Sequence, residues 1–387
     1  MDRAPDTASG QGSIIELEID GEARRYQLPE DLPDPVVETM QRLGIVQLPA
    51  DGEVIRILTP QVIQTVDRAT RGADGWTLPE SDYPRFEDPS NRHVIEIAGD
   101  GETLAAMRAS VLALNPRVAD VWRLITALSL EAWADGESEP PPIWVDCRDL
   151  LHAMGFEQHH KGGFRPEHVE AASRALETIN NLWVVVPLGS RIYPVDPVSR
   201  KRKRRELTAE NRFRVMVTLQ KTELKDLFGT RYPLRWQVRP GPWIRDYPRR
   251  VAPMLKSLVE LGAQQTANVW AKALGTELTY QWRPDAPPRR SVHIKTWLVT
   301  AGIYGEVERA FQKRNGARAR EYFEATLDLL SMLGLFQEWF YDPSDLTAME
   351  KASRATRFEV WLNSSIVLVN HTTASNPLPP LLDAKQR

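Results

Sequence analysis

The stretch VADVWRLITALSLEAW, residues 118–133, decides how the chain is read. Val121, Leu124, Ala127 with Leu128, and Ala132 recur at three- and four-residue spacing, which makes one apolar helix face. Asn115-Pro116 just upstream is a helix start. PPPIWVD (140–146) predicts a short strand after a proline-rich turn, and CRDLLHAMGF (147–156) a short helix ended near Gly155. PEHVEAASRALETINNL (166–182) predicts a third helix, with Pro166 in its first turn and Val169, Ala172, Leu176 and Ile179 on one face. WVVVPL (183–188) reads as a strand and FRVMVTL (213–219) as its return. Helix, strand, helix, helix and hairpin is the order of a helix-turn-helix with an appended wing.

The order recurs. QQTANVWAKALGTELTYQW (264–282) repeats the Val-Trp of the first helix, and Trp122 and Trp270 stand 148 residues apart. SVHIKTWLVTAGIYG (291–305) matches the strand and short helix. ARAREYFEATLDLLSML (317–333), with Phe323, Leu327, Leu330 and Leu333 on one face, matches the third helix. LFQEWFYD (335–342) and TRFEVWLNSSIVLV (356–369) supply the expected strands. A duplicated unit of ordinary domain size follows. The fold class expected is α+β: two tandem winged-helix domains, 103–225 and 263–372, joined by a basic and aromatic connector, 226–262. A small acidic α/β module, 13–100, precedes them. Within it SIIELEI and ARRYQL flank the Asp20-Gly21 turn, a short helix starts at Asp34-Pro35, and EVIRIL, HVIEIA and the helix TPQVIQTVDRAT follow. Residues 1–12 and 373–387 read as disordered.

Composition excludes several classes. The chain has 387 residues, 42% hydrophobic and 26% charged, as a soluble globular protein has. No apolar run approaches the roughly 20 residues that span a bilayer. The polar start MDRAPDTASGQGS has no apolar h-region, so no secretory leader is expected and a cytoplasmic location is the default. A single cysteine, Cys147, leaves no pair for an internal disulfide and no multi-cysteine metal site. No GxxxxGK[ST] or HExxH occurs, and adjacent His159-His160 suit a turn rather than a metal. Cys147 and His152 lie on a short helix whose cysteine suits a small core position. No catalytic residue, metal or cofactor is expected, and the chain reads as a non-enzyme.

Charge points to a partner. Residues 1–120 hold 11 Lys and Arg against 22 Asp and Glu, whereas residues 200–320 hold 27 against 10. Such asymmetry suits a polyanion. The run Arg200, Lys201, Arg202, Lys203, Arg204, Arg205 falls in the first expected hairpin loop, the wing. Five phosphate contacts there give a log–log salt slope of about −4 to −5. A recognition helix reads base edges with its N-terminal residues. In the first unit these are Lys161, Arg165, His168, Ser173 and Arg174; in the second, Lys313, Arg314, Asn315, Arg318 and Arg320; a weaker second wing carries Lys351, Arg354 and Arg357. In the connector, Arg231, Arg235, Arg239, Arg245, Arg249 and Arg250 alternate with Tyr and Trp; the aromatics suit packing of a linker more than stacking on single strands, and the arginines are expected to add to the DNA-facing charge.

With VWRLITALSL…LLHAMGF…ALETINNLWVVV and its second copy, the chain resembles the iteron-binding plasmid replication initiators over about residues 103–370. The resemblance implies binding of direct repeats in double-stranded DNA at an origin, opening of an adjacent A·T-rich region, and recruitment of a host initiator and helicase. It also implies exchange between a dimer and a monomer, and base reading by the second unit, on Arg314, Asn315, Arg318 and Arg320. The very basic first wing and the acidic N-terminal module depart from the pattern. A transcriptional regulator with two winged helices, and a factor that positions DNA for recombination or processing, remain open alternatives.

Overall fold

The computed structural model describes residues 14–19, 22–27, 54–88, 90–98, 103–134, 137–158, 163–194, 201, 203–225, 231–281, 287–353 and 356–370. The first hairpin pairs β1 (Ile14–Ile19) with β2 (Glu22–Gln27) in the register that the Asp20-Gly21 turn predicts. The helix expected at Asp34-Pro35 and the disorder expected at both ends lie outside the described residues. Then come β3 (Val54–Leu58), α1 (Gln61–Thr70), β4 (Trp76–Thr77), β5 (Arg85–Glu87), β6 (Val94–Ile97) and α2 (Leu104–Leu112). Among the described residues no helix is long and apolar enough to cross a membrane.

The first unit opens with α3 (Pro116–Ala132), whose N-cap Asn115 accepts a bond from the Arg117 amide. After it come β7 (Ile143–Asp146), α4 (Cys147–Ala153) and α5 (Pro166–Asn180). An inserted hairpin follows: β8 (Leu182–Val186), β9 (Arg191–Ile192), β10 (Arg205–Glu206) and β11 (Asn211–Arg214). The unit closes with β12 (Met216–Lys225) and β13 (Arg231–Pro240). Here the sequence reading needs correction. FRVMVTL is two strands, broken at Val215: β11 pairs with β8, whereas β12 pairs with β13, and β13 pairs with β7. The chain switches sheets at Val215, whose carbonyl accepts bonds from the Gly241 amide at 2.8 Å and the Trp243 indole at 3.0 Å. A Cβ on Gly241 would stand 1.8 Å from the Arg214 carbonyl, so this crossing requires glycine.

The connector is likewise structured. Beyond β13, a 3-10 turn at Pro242–Asp246 leads to β14 (Val251–Leu255), which pairs with β3, and then to α6 (Lys256–Glu260). The second unit contains α7 (Thr266–Tyr280), β15 (Arg289–His293), α8 (Ile294–Thr300), α9 (Tyr304–Gln312), α10 (Gly316–Met332), β16 (Glu338–Tyr341), α11 (Pro343–Lys351), α12 (Arg357–Leu362) and β17 (Ser365–Val369). Its sheet has the order β15-β17-β16, and that of the first unit β12-β13-β7. In both, the strand after the first helix lies against the last strand. The units differ in what they insert: a hairpin before β12 in one, α9 and the pair α11–α12 in the other. The expected second wing is therefore two helices. Phe358, Trp361 and Leu362 are spaced as a helix, and the latter two are buried.

Residues 13–100 do not form a separate module where they are described. β4, β5 and β6 join β8 and β11 in one five-stranded sheet, order β11-β8-β6-β5-β4, and β3 pairs with β14 from beyond the first unit. Helix α1 lies against α3, where the Trp122 indole donates to the Ile63 carbonyl at 3.3 Å.

Beside apolar contacts, a cluster of buried charges lies between α1, α3 and α7. Arg68 binds Asp88 at 2.9 Å and Glu277 at 2.7 Å; Arg71 binds Asp67 and, at 3.1 Å, Glu277. Arg123 binds Asp67 at 2.7 Å and Asp120 at 2.6 Å, and Lys272 binds Asp120 and the Val259 carbonyl. All but Arg71 are under a tenth exposed. Burial raises the Asp67 carboxyl, but the guanidiniums of Arg123 and Arg71 outweigh this and hold it below its ordinary value. Burial lowers the Lys272 ammonium, with Asp120 opposing.

Removing one partner strands a buried charge. Glu277→Leu should cost about 3–5 kcal/mol in chemical denaturation, and adding Arg68→Met should recover part of it. A second expectation concerns acid. Because the folded Asp67 pKa lies below its unfolded value of about 3.9, its contribution is fully present above that pH and is lost as pH falls through the folded value. Thermal melts of Asp67→Asn should be less stable at neutral pH and less sensitive to acid below about pH 4 than those of the unsubstituted chain.

Candidate nucleic-acid interface

In the first unit the third helix, α5, buries Val169, Ala172, Ala175, Leu176 and Ile179. Ser173 sits on that stripe, four residues after Val169, and is 4% exposed. It faces the core rather than a ligand, which corrects its expected outward position. Arg165, at the N-cap, is exposed. His168 is half-buried with its ring edge-to-face on Phe156, centroids 4.9 Å apart. Arg174 is exposed but paired with Glu170, and Glu177 is paired with Lys221 at 2.7 Å. The outer face of α5 is thus largely neutralised by its own acids. Lys161 lies outside the described residues. Beside the N-terminal end of α5 opens a cleft of about 730 Å³, lined by Arg117, Arg165, His168, Asn268 and Lys272 among others.

The basic run is not in the hairpin that closes this unit. β9 and β10 pair Arg205 with Ile192 and Glu206 with Arg191, so the run caps an extension of the β8–β11 hairpin, on the five-stranded sheet. Lys201, Lys203, Arg204 and Arg205 are exposed there; Arg200 and Arg202 lie outside the described residues. The hairpin that closes the first unit is β12–β13. Its Lys221 ammonium lies 4.1 Å from the Trp236 ring centroid, and Lys225 stands opposite Arg231 in the register. Four of the connector arginines, expected to add to a DNA-facing charge, are instead engaged within the fold. Arg235 binds Asp146 at 3.0 Å, Arg239 and Arg245 bind Glu139, and Arg249 lies over Trp133.

The second unit presents its cations differently. Lys313, Arg314 and Asn315 form the turn between α9 and α10, and with Arg318 in the first turn of α10 all four are exposed. The turn is closed by bonds from the Arg314 amide to Phe311 O and from the Asn315 amide to Ala310 O, each 2.8 Å. Arg314 has φ 62°, the left-handed conformation that such a helix end usually gives to glycine. Asn315 holds the N-cap position of α10 yet makes no capping bond with its side chain. Arg318 donates to the Tyr322 hydroxyl at 2.7 Å. Arg320 is drawn away from this group: it donates to Glu324 at 2.7 Å and lies over the Tyr341 ring. Phe311 and Phe358 stack at 4.1 Å and 5° beside Gly316, where a Cβ would meet Phe358 at 3.0 Å. This stack ties α12 to the end of α9, beside the first residue of α10. The weak second-wing residues fall on helices: Lys351 ends α11 and Arg357 starts α12, both exposed, while Arg354 lies outside the described residues.

Among the described residues no group of three or more His, Cys, Asp or Glu is placed to hold a metal ion. The Cys147 thiol is buried, and burial with Asp146 beside it pushes its pKa up to about 12.

No family model and no curated protein matches the chain. Among solved structures it is similar to a crystal structure of domains 2 and 3 of RctB at 9% identity and TM-score 0.32, over 68% of this chain and 83% of that one. It is also similar to a second crystal structure of RctB domains 2-3, residues 155-483, at 9% identity and TM-score 0.31, over 80% of this chain and 97% of that one.

A non-glycine residue at positive φ is retained against a cost of about 1 kcal/mol. Arg314→Gly should therefore leave the melting temperature unchanged or higher.

Proposed function

We propose that the chain is a sequence-specific double-stranded DNA-binding protein of the replication-initiator type, built on two winged-helix units and without catalysis of its own. One observation carries this reading: both units share one sheet order, with the strand after the first helix against the last strand, and helix α10 of the second unit begins in the exposed group Lys313, Arg314, Asn315 and Arg318. A helix N-terminus rich in Arg and Asn suits the major groove, where arginine pairs with guanine edges and asparagine with adenine edges. In the first unit the cations of α5 are mostly matched by its own acids. Base reading therefore falls on Arg314, Asn315 and Arg318, and the first unit, through Arg165 and the β12–β13 hairpin, holds the backbone. Backbone contacts set register and affinity without reading sequence.

The resemblance to iteron-binding initiators supports direct repeats at an origin as the target, with a host initiator, a helicase and a second copy of the chain as further partners. A cytoplasmic, nucleoid-associated location fits that role.

The experiment is a footprint on DNA flanking the chain's own gene. Protected direct repeats beside an A·T-rich tract support the initiator reading; a single palindrome supports a regulator. Asn315→Ala and Arg318→Ala should each cost about 1–3 kcal/mol on the protected site and much less on random duplex. Equal losses on both would mean that these residues touch only phosphate.

A further inference from the structure

The five-stranded sheet has a second face that the duplex reading does not use. Its inner row, Phe213, Val184, Ile95, Phe86 and Trp76 in adjacent strands, turns to the core. Side chains alternate across a strand, so the flanking rows face the other way. One runs Arg214, Trp183, Glu96, Arg85 and Thr77; the next runs Arg212, Val185, Val94 and Glu87. On this outer face the Trp183 ring is fixed by its indole bond to the Ala98 carbonyl at 2.9 Å. The guanidiniums of Arg212 and Arg214 lie 4.8 and 4.9 Å from its centroid, and Arg212 also lies 5.3 Å from the ring of Tyr83, which is 38% exposed. Tyrosine, arginine, tryptophan and arginine thus form a ladder of planar groups. One buried acid, Glu96, serves both Arg85 at 2.9 Å and Arg212 at 3.0 Å. The basic extension, with Lys201, Lys203, Arg204 and Arg205 exposed, rises from strands β8 and β11 of this same sheet.

We propose that this face and its hairpin form a second nucleic-acid surface, one that takes single-stranded DNA. Cations along the hairpin meet the phosphates, and the planar ladder meets unstacked bases, a combination that tolerates any sequence. A duplex hides its base faces and could use only the cations. The proposal goes beyond the duplex reading and stands without it.

The test is fluorescence anisotropy on the full chain, with a labelled oligothymidylate and a random duplex of equal length. Arg212→Gln with Arg214→Gln should weaken single-strand binding about tenfold or more and leave duplex binding within about twofold. Trp183→Phe should keep most of the single-strand affinity and Trp183→Leu should lose it, with melting curves recorded for each. As a readout independent of folding, an iododeoxyuridine oligonucleotide should photocrosslink the unsubstituted chain at Tyr83 or Trp183. Single-strand affinity unmoved by the arginine pair, equal losses on both DNAs, or crosslinks confined to Gly316–Met332 would each overturn the proposal. So would binding of an oligouridylate alone. Because the Asn315 and Arg318 variants are read on duplex, either proposal can fail without the other.

Discussion

Helices α1, α3 and α7 are held against one another by a run of alternating buried charges, and every functional element of the chain takes its position from them. Arg68, Arg71, Arg123 and Lys272 face Asp67, Asp88, Asp120 and Glu277, so the cluster is neutral as a whole. Its net contribution to stability is modest, since desolvating charges costs nearly as much as pairing them returns. Its geometric demand is large. An apolar interface can slide by part of a helical turn at small cost, whereas a slip here would part Arg123 from Asp67 and Lys272 from Asp120, all of them buried.

That demand links local structure to presentation. α3 and α7 are the first helices of the two units, so fixing them together fixes α5, α10 and their sheets. α1 adds the N-terminal sheet, and with it the hairpin that carries the basic run. Further ties point the same way: Arg71 donates to the Ala301 carbonyl at 2.9 Å, and Arg309 pairs with Asp74 at 2.8 Å. A polyanion that touches one unit therefore meets the others at set distances. Each contact beyond the first forms without a new loss of orientational freedom.

Much of this was legible in the sequence. The Val-Trp helices, their amphipathic partners and the strands beside them follow from period and turn signals. What escaped was long-range. Nothing in WVVVPL or FRVMVTL says that the first joins HVIEIA while the second splits at Val215, because strand partners are chosen by tertiary packing. The basic run was therefore assigned to the hairpin that closes the first unit, whereas it caps an extension of the β8–β11 hairpin. TRFEVWL looked like alternation but buries Trp361 and Leu362 as a helix does. Ser173 was read outward although it lies four residues after Val169. The pairing of Asp67, Asp120 and Glu277 was not legible, since only the fold brings their cations to them. In the candidate site, the cluster at Lys313–Arg318 was visible from composition. The ladder of Tyr83, Trp183, Arg212 and Arg214 was not, because its members come from distant strands.

The rigidity of the two units is open to direct measurement. Cys147 is buried, so spin labels can be confined to Arg174→Cys on α5 and Glu321→Cys on α10, both exposed positions. Pulsed electron paramagnetic resonance should give one narrow distance distribution, unchanged when duplex DNA is added. A broad or multimodal distribution that sharpens only on DNA would mean that the buried charges do not hold the units together.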